Sequence, residues 1–176
     1  MAITMQSVPI IVDLEASGFG SDSYPIEVGV ITDTGKKYCR LIQRQPEWQH
    51  WSQEAEDLHG ISREILKEKG FGPAQICDEL NQLLDGKTIY SDGWVVDYPW
   101  MITLFNAAKV SMGFRLSPLE SILSESQMDV WHQTKTILIS QSDTARHRAS
   151  TDAELIQQVY ISTHQAKKLK SSSAIF

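Results

Sequence analysis

What this chain lacks narrows the field before any motif is read. No apolar run approaches the ~18 residues of a membrane span, and the N-terminus shows no basic segment leading into a signal-like core. The expected compartment is therefore the cytoplasm. Cysteine is scarce. Cys39 and Cys77 form neither a metal-ligand spacing nor a disulfide framework, and both are expected to be reduced, structural thiols. Positive charge is in short supply too, with 16 Lys and Arg against 22 Asp and Glu, a net charge of −6 and a pI near 5.3. That argues against a protein coating long nucleic acids by bulk electrostatics. It leaves room for an enzyme that grips a strand end, because bound metal ions bring local positive charge. Repeats and long linkers are absent as well, so the 176 residues read as one domain, 1–176, with 171–176 as a frayed tail.

The elements present are short and mixed. Val8 to Val12 is a β-branched, apolar run that reads as a buried strand, with Gly18 ending it. Residues 25–32 alternate like a second strand, Asp33-Thr34-Gly35 is a hairpin turn, and 37–43 is a third strand. After an irregular stretch over 44–51, Ser52 and Ser62 are placed to cap two short helices, and His59-Gly60 stops the first. Pro73 opens a helix to Leu84, with Ile76, Leu80, Leu83 and Leu84 at helical spacing. Thr88-Ile89-Tyr90 is a short strand, and 95–109 a helix with Pro99 expected in its first turn. A strand over 114–116 follows, then helices over 118–123, 127–139 and 151–169, the last turning Leu155, Ile156 and Val159 inward. Strands first, then helices interleaved with strands, predict an α/β domain with a mixed sheet and helices packed on it.

Acidic residues stand at the strand ends. Side chains alternate along a strand, so Asp13 and Glu15 point to one side. Two adjacent carboxylates repel unless a cation sits between them. An Asp-x-Glu triplet alone carries little weight, since it arises by chance in roughly half of chains this long. Asp97 stands beyond the 88–90 strand at a helix start, where α/β folds carry function, and Asp92 competes with it. His147 and Asp152 are five residues apart, a rotation of about 140° on one helix, so they converge only if His147 lies on the loop entering it. Ser150 or Thr151 would then be the N-cap. Such a set of carboxylates can hold two hard divalent cations that clamp the attacking and leaving oxygens of a phosphodiester. A histidine titrating near neutrality can take the proton of the attacking water.

The order Asp13, Glu15, Asp97, His147, Asp152, with its surroundings, resembles the DEDDh branch of the DnaQ-like 3′–5′ exonucleases. Asp13-Leu14-Glu15-Ala16-Ser17-Gly18 is similar to the family's first motif, and Pro25-Ile26-Glu27-Val28-Gly29 to its second strand. Leu58-His59-Gly60-Ile61-Ser62 resembles a His-Gly-Ile segment common in the family, and His147-x-Ala149-x-x-Asp152 is a close match to the third motif. The second motif departs from the family's His-Asn-x-x-Phe-Asp and reads Asp92-Gly93-Trp94-Val95-Val96-Asp97, which keeps the ligand aspartate.

The resemblance implies a ribonuclease H-like fold with a five-stranded mixed sheet flanked by helices. It implies two Mg²⁺ or Mn²⁺ ions held by Asp13, Glu15, Asp97 and Asp152, with His147 as general base. Leu14 and Ser17, with the backbone near Gly18, would line the cleft for the terminal nucleotide, and His59 is read either as standing near the substrate or as fixing its loop. Trp94 is read either as a stacking platform for a base or as core, and Arg146 and Arg148 either as phosphate contacts or as solvated cations. The implied partner is the 3′ end of a single-stranded nucleic acid, with no membrane and with room for a homodimer. Two other readings stay open: a nucleic-acid-binding or partner-docking module of the same fold, and a phosphodiesterase for small nucleotides.

Overall fold

In the computed structural model, residues 8–142 and 147–173 are described, with side chains as far as His164. The chain opens with an antiparallel meander of β1 (Ile11–Ala16), β2 (Pro25–Ile31) and β3 (Lys37–Leu41). The β2–β3 turn is closed by the Thr32 N–H donating to the Lys36 carbonyl at 2.9 Å, with Gly35 at φ 80. Two short helices follow, α1 (Gln53–His59) and α2 (Arg63–Lys69), then α3 (Pro73–Leu84). The hydroxyls of Ser52 and Ser62 accept from Ala55 and Ile65, the capping their positions foretold. Strand β4 (Thr88–Ser91), helix α4 (Trp94–Ala108) and strand β5 (Arg115–Pro118) come next. A 3-10 turn (Leu119–Ile122), α5 (Glu125–Ser140) and α6 (Ala149–Ser173) complete the chain. The sheet order is β3-β2-β1-β4-β5, with β1–β4 and β4–β5 parallel, so the sheet is five-stranded and mixed.

Several boundaries differ from the reading of the sequence, each for a local reason. Strand β1 runs on through Asp13 to Ala16, because β2 pairs with it as far as Ala16 against Pro25, with a shift of register after Glu15. Strand β3 stops at Leu41, and Ile42 continues only as an isolated bridge to Phe71. Pro99 is the sixth residue of α4 rather than a first-turn residue; the bond its missing N–H forgoes would end on Val95, itself exposed. The 118–123 segment is too short for an α-helix and winds as one 3-10 turn. Helix α6 starts at Ala149, two residues earlier than expected, and runs to Ser173; residues 174–176 of the expected tail lie outside the described residues.

The sheet has two unlike faces. Val12, Leu14, Ala16, Ile26, Val28 and Val30 are buried together with Leu66, Ile76, Leu80, Met101 and Leu104 from α2, α3 and α4. On the opposite face Ile11 and Ile31 pack with Ala153, Ile156, Val159 and Tyr160 of α6 and with Trp131 of α5. Leu155 is only half-buried. Strand pairing sets Ile11 against Ile31, Asp13 against Gly29, and Glu15 against Glu27. This second face therefore grades from apolar to acidic along β1, which brings the carboxylates to one end of the sheet.

Candidate active site

Three elements deliver the acids. Strand β1 presents Asp13 and Glu15 side by side on the α6 face, as its alternation requires. Strand β4, parallel to β1, ends at Ser91, and the first turn of α4 carries Asp97, which is 2% exposed. Its carboxylate accepts from the Ser91 hydroxyl, and that hydroxyl accepts from the Gly93 N–H at 2.9 Å. Asp92, the competing acid, is ion-paired with Lys135 of α5 at 2.7 Å.

The third element is the entry to α6. His147 stands just outside the helix and Asp152 within its first turn, the arrangement in which the two can converge. The His147 N–H donates to Asp152 Oδ2 at 2.9 Å, and His147 has φ 63, a left-handed conformation uncommon outside glycine. Ligand-type atoms of Glu15, His147 and Asp152 all lie within 4.8 Å of one another. No hydroxyl of Ser150 or Thr151 caps the helix, because it has already begun at Ala149. The Glu27 carboxylate on β2 takes the Ala149 N–H instead, at 2.8 Å. Gly29 is indispensable to this closeness: a Cβ there would lie 2.1 Å from the Ser150 nitrogen.

The cluster is electrostatically strained. Burial pushes the Asp13 carboxyl well above the usual range, and Asp97, Glu15, Asp152 and Asp92 add to the shift. Burial, with Asp152 and Glu27, raises Glu15 to about 8, opposed by Arg148. Asp97 is raised to about 7, mainly by burial, against the stabilising Ser91 hydroxyl. Asp152 Oδ1 is buried and has no hydrogen-bond partner. Oxygen-rich donors, one imidazole, an orphaned carboxylate oxygen and excess negative charge together fit a hard divalent cation.

Beside Glu15 opens a cavity of about 240 Å³, lined among others by Gly18, Phe19, Leu58, His59 and Trp100. Phe19 is 76% exposed and Leu58 54%, so both offer apolar surface to a guest. The ring of Phe19 lies 6.3 Å from that of Trp100, whose own N–H is fastened to the Ser23 hydroxyl. His59 is buried, which lowers its pKa, and its Nδ1 accepts from the Ile61 N–H at 3.0 Å. Its Nε2 is buried without a well-formed hydrogen bond, although the Ala16 backbone lies close enough to act on the ring.

Of the residues named for substrate contact, Gly18 and His59 line this cavity and the others are engaged elsewhere. The Leu14 side chain faces the apolar core on the opposite side of the sheet. Ser17 is buried, its hydroxyl accepting from the Tyr24 N–H and hydrogen-bonded to His50 Nδ1. Trp94 stacks on Tyr98 with ring centroids 5.1 Å apart, and its indole N–H donates to the Leu116 carbonyl. Arg148 is bound to Glu27, while Arg146 lies outside the described residues. Phe19, Trp100, Ser91 and Glu27 were not singled out from the sequence. Glu27 alone left a signal there, an acid in the middle of an apolar strand that must find a cationic or N–H partner.

No protein-family model matches the sequence, and no curated protein matches it. Solved structures do. E. coli exonuclease I in complex with an oligonucleotide shares 13% identity at a TM-score of 0.67, over 90% of this chain and 40% of that one. A 3′-exonuclease described for 3′-end-specific recognition of the histone mRNA stem-loop shares 13% at 0.68, over 92% and 65%. A zinc-bound E. coli exonuclease I complex with single-stranded DNA shares 14% at 0.62, over 90% and 40%. The chain thus spans about 40% of the length of exonuclease I. At such identities the likeness is one of fold, and the chain has the ribonuclease H-like α/β fold of these exonucleases.

Proposed function

We propose that the chain is a divalent-metal-dependent 3′–5′ exonuclease, hydrolysing single-stranded DNA or RNA from its 3′ end and releasing nucleoside 5′-monophosphates. One observation carries the reading. Asp13, Glu15, Asp97, His147 and Asp152 come from three separate stretches of chain to one end of the sheet, beside a cavity with aromatic walls. Asp13, Glu15, Asp97 and Asp152 would hold two Mg²⁺ or Mn²⁺ ions, which supply Lewis-acid polarisation of the phosphodiester and a water of lowered pKa.

The chain's own groups divide the remaining tasks. His147, fixed at the edge of the carboxylates, accepts the proton of the attacking water on an imidazole nitrogen. As water adds to phosphorus, the bond to the 3′ oxygen of the preceding nucleotide breaks; that oxygen takes a proton from solvent water, and His147 returns the proton it accepted to solvent. Phe19, Leu58 and Trp100 give the terminal base an apolar and aromatic seat, where stacking is worth ~1–3 kcal/mol per base. The buried Nε2 of His59, which has the Ala16 backbone beside it but no well-formed hydrogen bond, is suited to a sugar or phosphate oxygen.

The test is a denaturing gel of 5′-labelled single-stranded DNA and RNA with Mg²⁺, Mn²⁺ or EDTA, run beside Asp13→Ala. A descending ladder confined to wild-type protein with metal is the expected result, and it reports sugar preference as well as polarity. No cleavage of either strand by a metal-binding protein would redirect the reading to small nucleotides. No metal binding would redirect it to a docking module.

A further inference from the structure

The α6 face of β2 carries an acid that the hydrolytic chemistry does not call on. Glu27 is 0% exposed, in a strand whose every residue is buried. Its carboxylate is almost wholly occupied by the entry to α6. Arg148 Nε donates to its two oxygens at 3.0 and 3.1 Å, Arg148 Nη2 donates at 2.6 Å, and the Ala149 N–H at 2.8 Å. The Cys39 thiol of β3 also donates to it, at 3.4 Å.

These contacts bracket the general base. His147 is immediately before Arg148 and holds a left-handed φ of 63, an uncommon conformation outside glycine. On one side its N–H is tied to Asp152; on the other, Arg148 and Ala149 are tied to Glu27. Glu27 is in turn the direct cross-strand neighbour of Glu15. A short circuit therefore links Glu15 to His147 through the β1–β2 ladder, Glu27 and Arg148. An ion pair is a poor choice if α6 only needed an anchor, since well-packed apolar groups generally hold buried surfaces as firmly. What a guanidinium fork on a carboxylate adds is fixed orientation.

We propose that Glu27 and Arg148 are positioning residues, a latch that sets the place of His147 and Asp152 against Glu15. The proposal rests on the exonuclease reading for its kinetic consequences, though not for its effect on metal binding. It also assigns Arg148 a task inside the protein instead of a contact with substrate phosphate.

The test compares wild type with Arg148→Met, Arg148→Lys and Glu27→Gln, and with Arg40→Met as control. Arg40, on β3 of the same sheet and about as exposed as Arg148, makes an ion pair with Glu79 of α3, a carboxylate less buried than that of Glu27. Each protein is assayed for kcat and KM on a single-stranded oligonucleotide with Mn²⁺, for Mn²⁺ affinity by calorimetry, and for thermal unfolding without ions. Arg148→Met is expected to lower kcat and Mn²⁺ affinity by ~10–100-fold, the usual range for groups that orient metal ligands, with KM little changed. Arg148→Lys should recover part of the loss by placing one donor on Glu27, and Arg40→Met should change neither quantity. A fall in unfolding temperature with kcat and affinity unmoved would make the pair a plain structural brace and overturn the proposal. A raised KM with a weakened salt dependence at unchanged kcat would make Arg148 a phosphate contact, which overturns it as well. If Arg148→Met does not fold, Glu27→Gln, which keeps an acceptor for the Ala149 N–H, is read by the same criteria. Should wild type bind Mn²⁺ yet cleave nothing, the exonuclease reading fails while the calorimetry still decides the latch. Should it bind no Mn²⁺, both fall.

Discussion

The two faces of β1 and β2 are made by alternate residues of the same strands, yet they obey opposite rules. One face is apolar from end to end, with Val12, Leu14, Ile26, Val28 and Val30 shut away beneath α3 and α4. The other begins apolar at Ile11 and Ile31 and ends in Asp13, Glu15 and Glu27. The first face gains stability from every contact it makes. The second gives some up, since burial and mutual repulsion drive Asp13 and Glu15 far from the protonation of a free carboxylate. Helix α6 spans both regimes, packing Ile156 and Val159 on the apolar end while delivering His147 and Asp152 to the acidic end. Folding and chemistry are thus separated by the pleat, by about one residue of sequence.

Substitutions on the two faces should break along that line. Asp13→Ala is expected to have the largest effect, abolishing metal-dependent cleavage without lowering the unfolding temperature, because it removes a repelled carboxylate. Wild-type rates on the gel in that variant would sink the metal assignment. His147→Ala should lower turnover by ~10²–10⁴, read from initial rates at saturating metal; an unchanged rate would mean that another group takes the proton. Ile26→Ala, on the apolar face one residue from Glu27, should do the reverse. It removes a wholly buried side chain at a cost of ~2–5 kcal/mol, measured by denaturant unfolding, while the folded fraction keeps its kcat. A loss of kcat beyond the loss of folded protein would show that the faces are not independent.

How much of this was legible in the chain follows from which contacts are local. Period-two alternation was enough to place Asp13 and Glu15 on one side of a strand, and the five-residue spacing of His147 and Asp152 was enough to say that they converge only if a loop leads into a helix start between them. Both inferences use residues near each other in sequence. Glu27 and Arg148 are 121 residues apart, and only the β1–β2 register and the crossing of α6 reveal their pairing. The cap of α6 was misread for the same reason: local hydroxyls at Ser150 and Thr151 were available, but a carboxylate arriving from the sheet replaced them. Phe19 and Trp100 became a cavity wall only once the turn after β1 folded against α4, a contact that no periodicity announces. Trp94 shows the converse, a residue conspicuous in the sequence whose ring and N–H are engaged within the protein.

The smallest expected effect is also the most direct reading of the contrast between the faces. On the apolar face burial raises the titrating groups Tyr24 and Cys77, the latter to about 12, so the contribution of that face to stability should not vary across mild pH. On the acidic face, Glu15 is raised from its ordinary 4.5 to about 8, and Asp97 from 3.8 to about 7. Across the window from about 4 to 8, the folded ion-free protein holds protons that the unfolded chain has released. Where the folded state binds more protons, stability falls as pH rises. The contribution is therefore whole below the unfolded values and lost as pH passes the folded ones. Glu15 keeps part of its surface in water, so screening trims the effect, and the unfolding temperature should drop by on the order of a few °C between pH 5.5 and 8. Saturating Mg²⁺ or Mn²⁺ binds the ionised carboxylates and should remove most of that slope, while Asp13→Asn, which deletes one charge at nearly constant shape, should flatten it without metal. Thermal unfolding at the two pH values, with and without ion, checks this; an ion-free protein more stable at pH 8 than at pH 5.5 would mean that these acids are ionised and internally compensated, leaving a cation little electrostatic reason to bind.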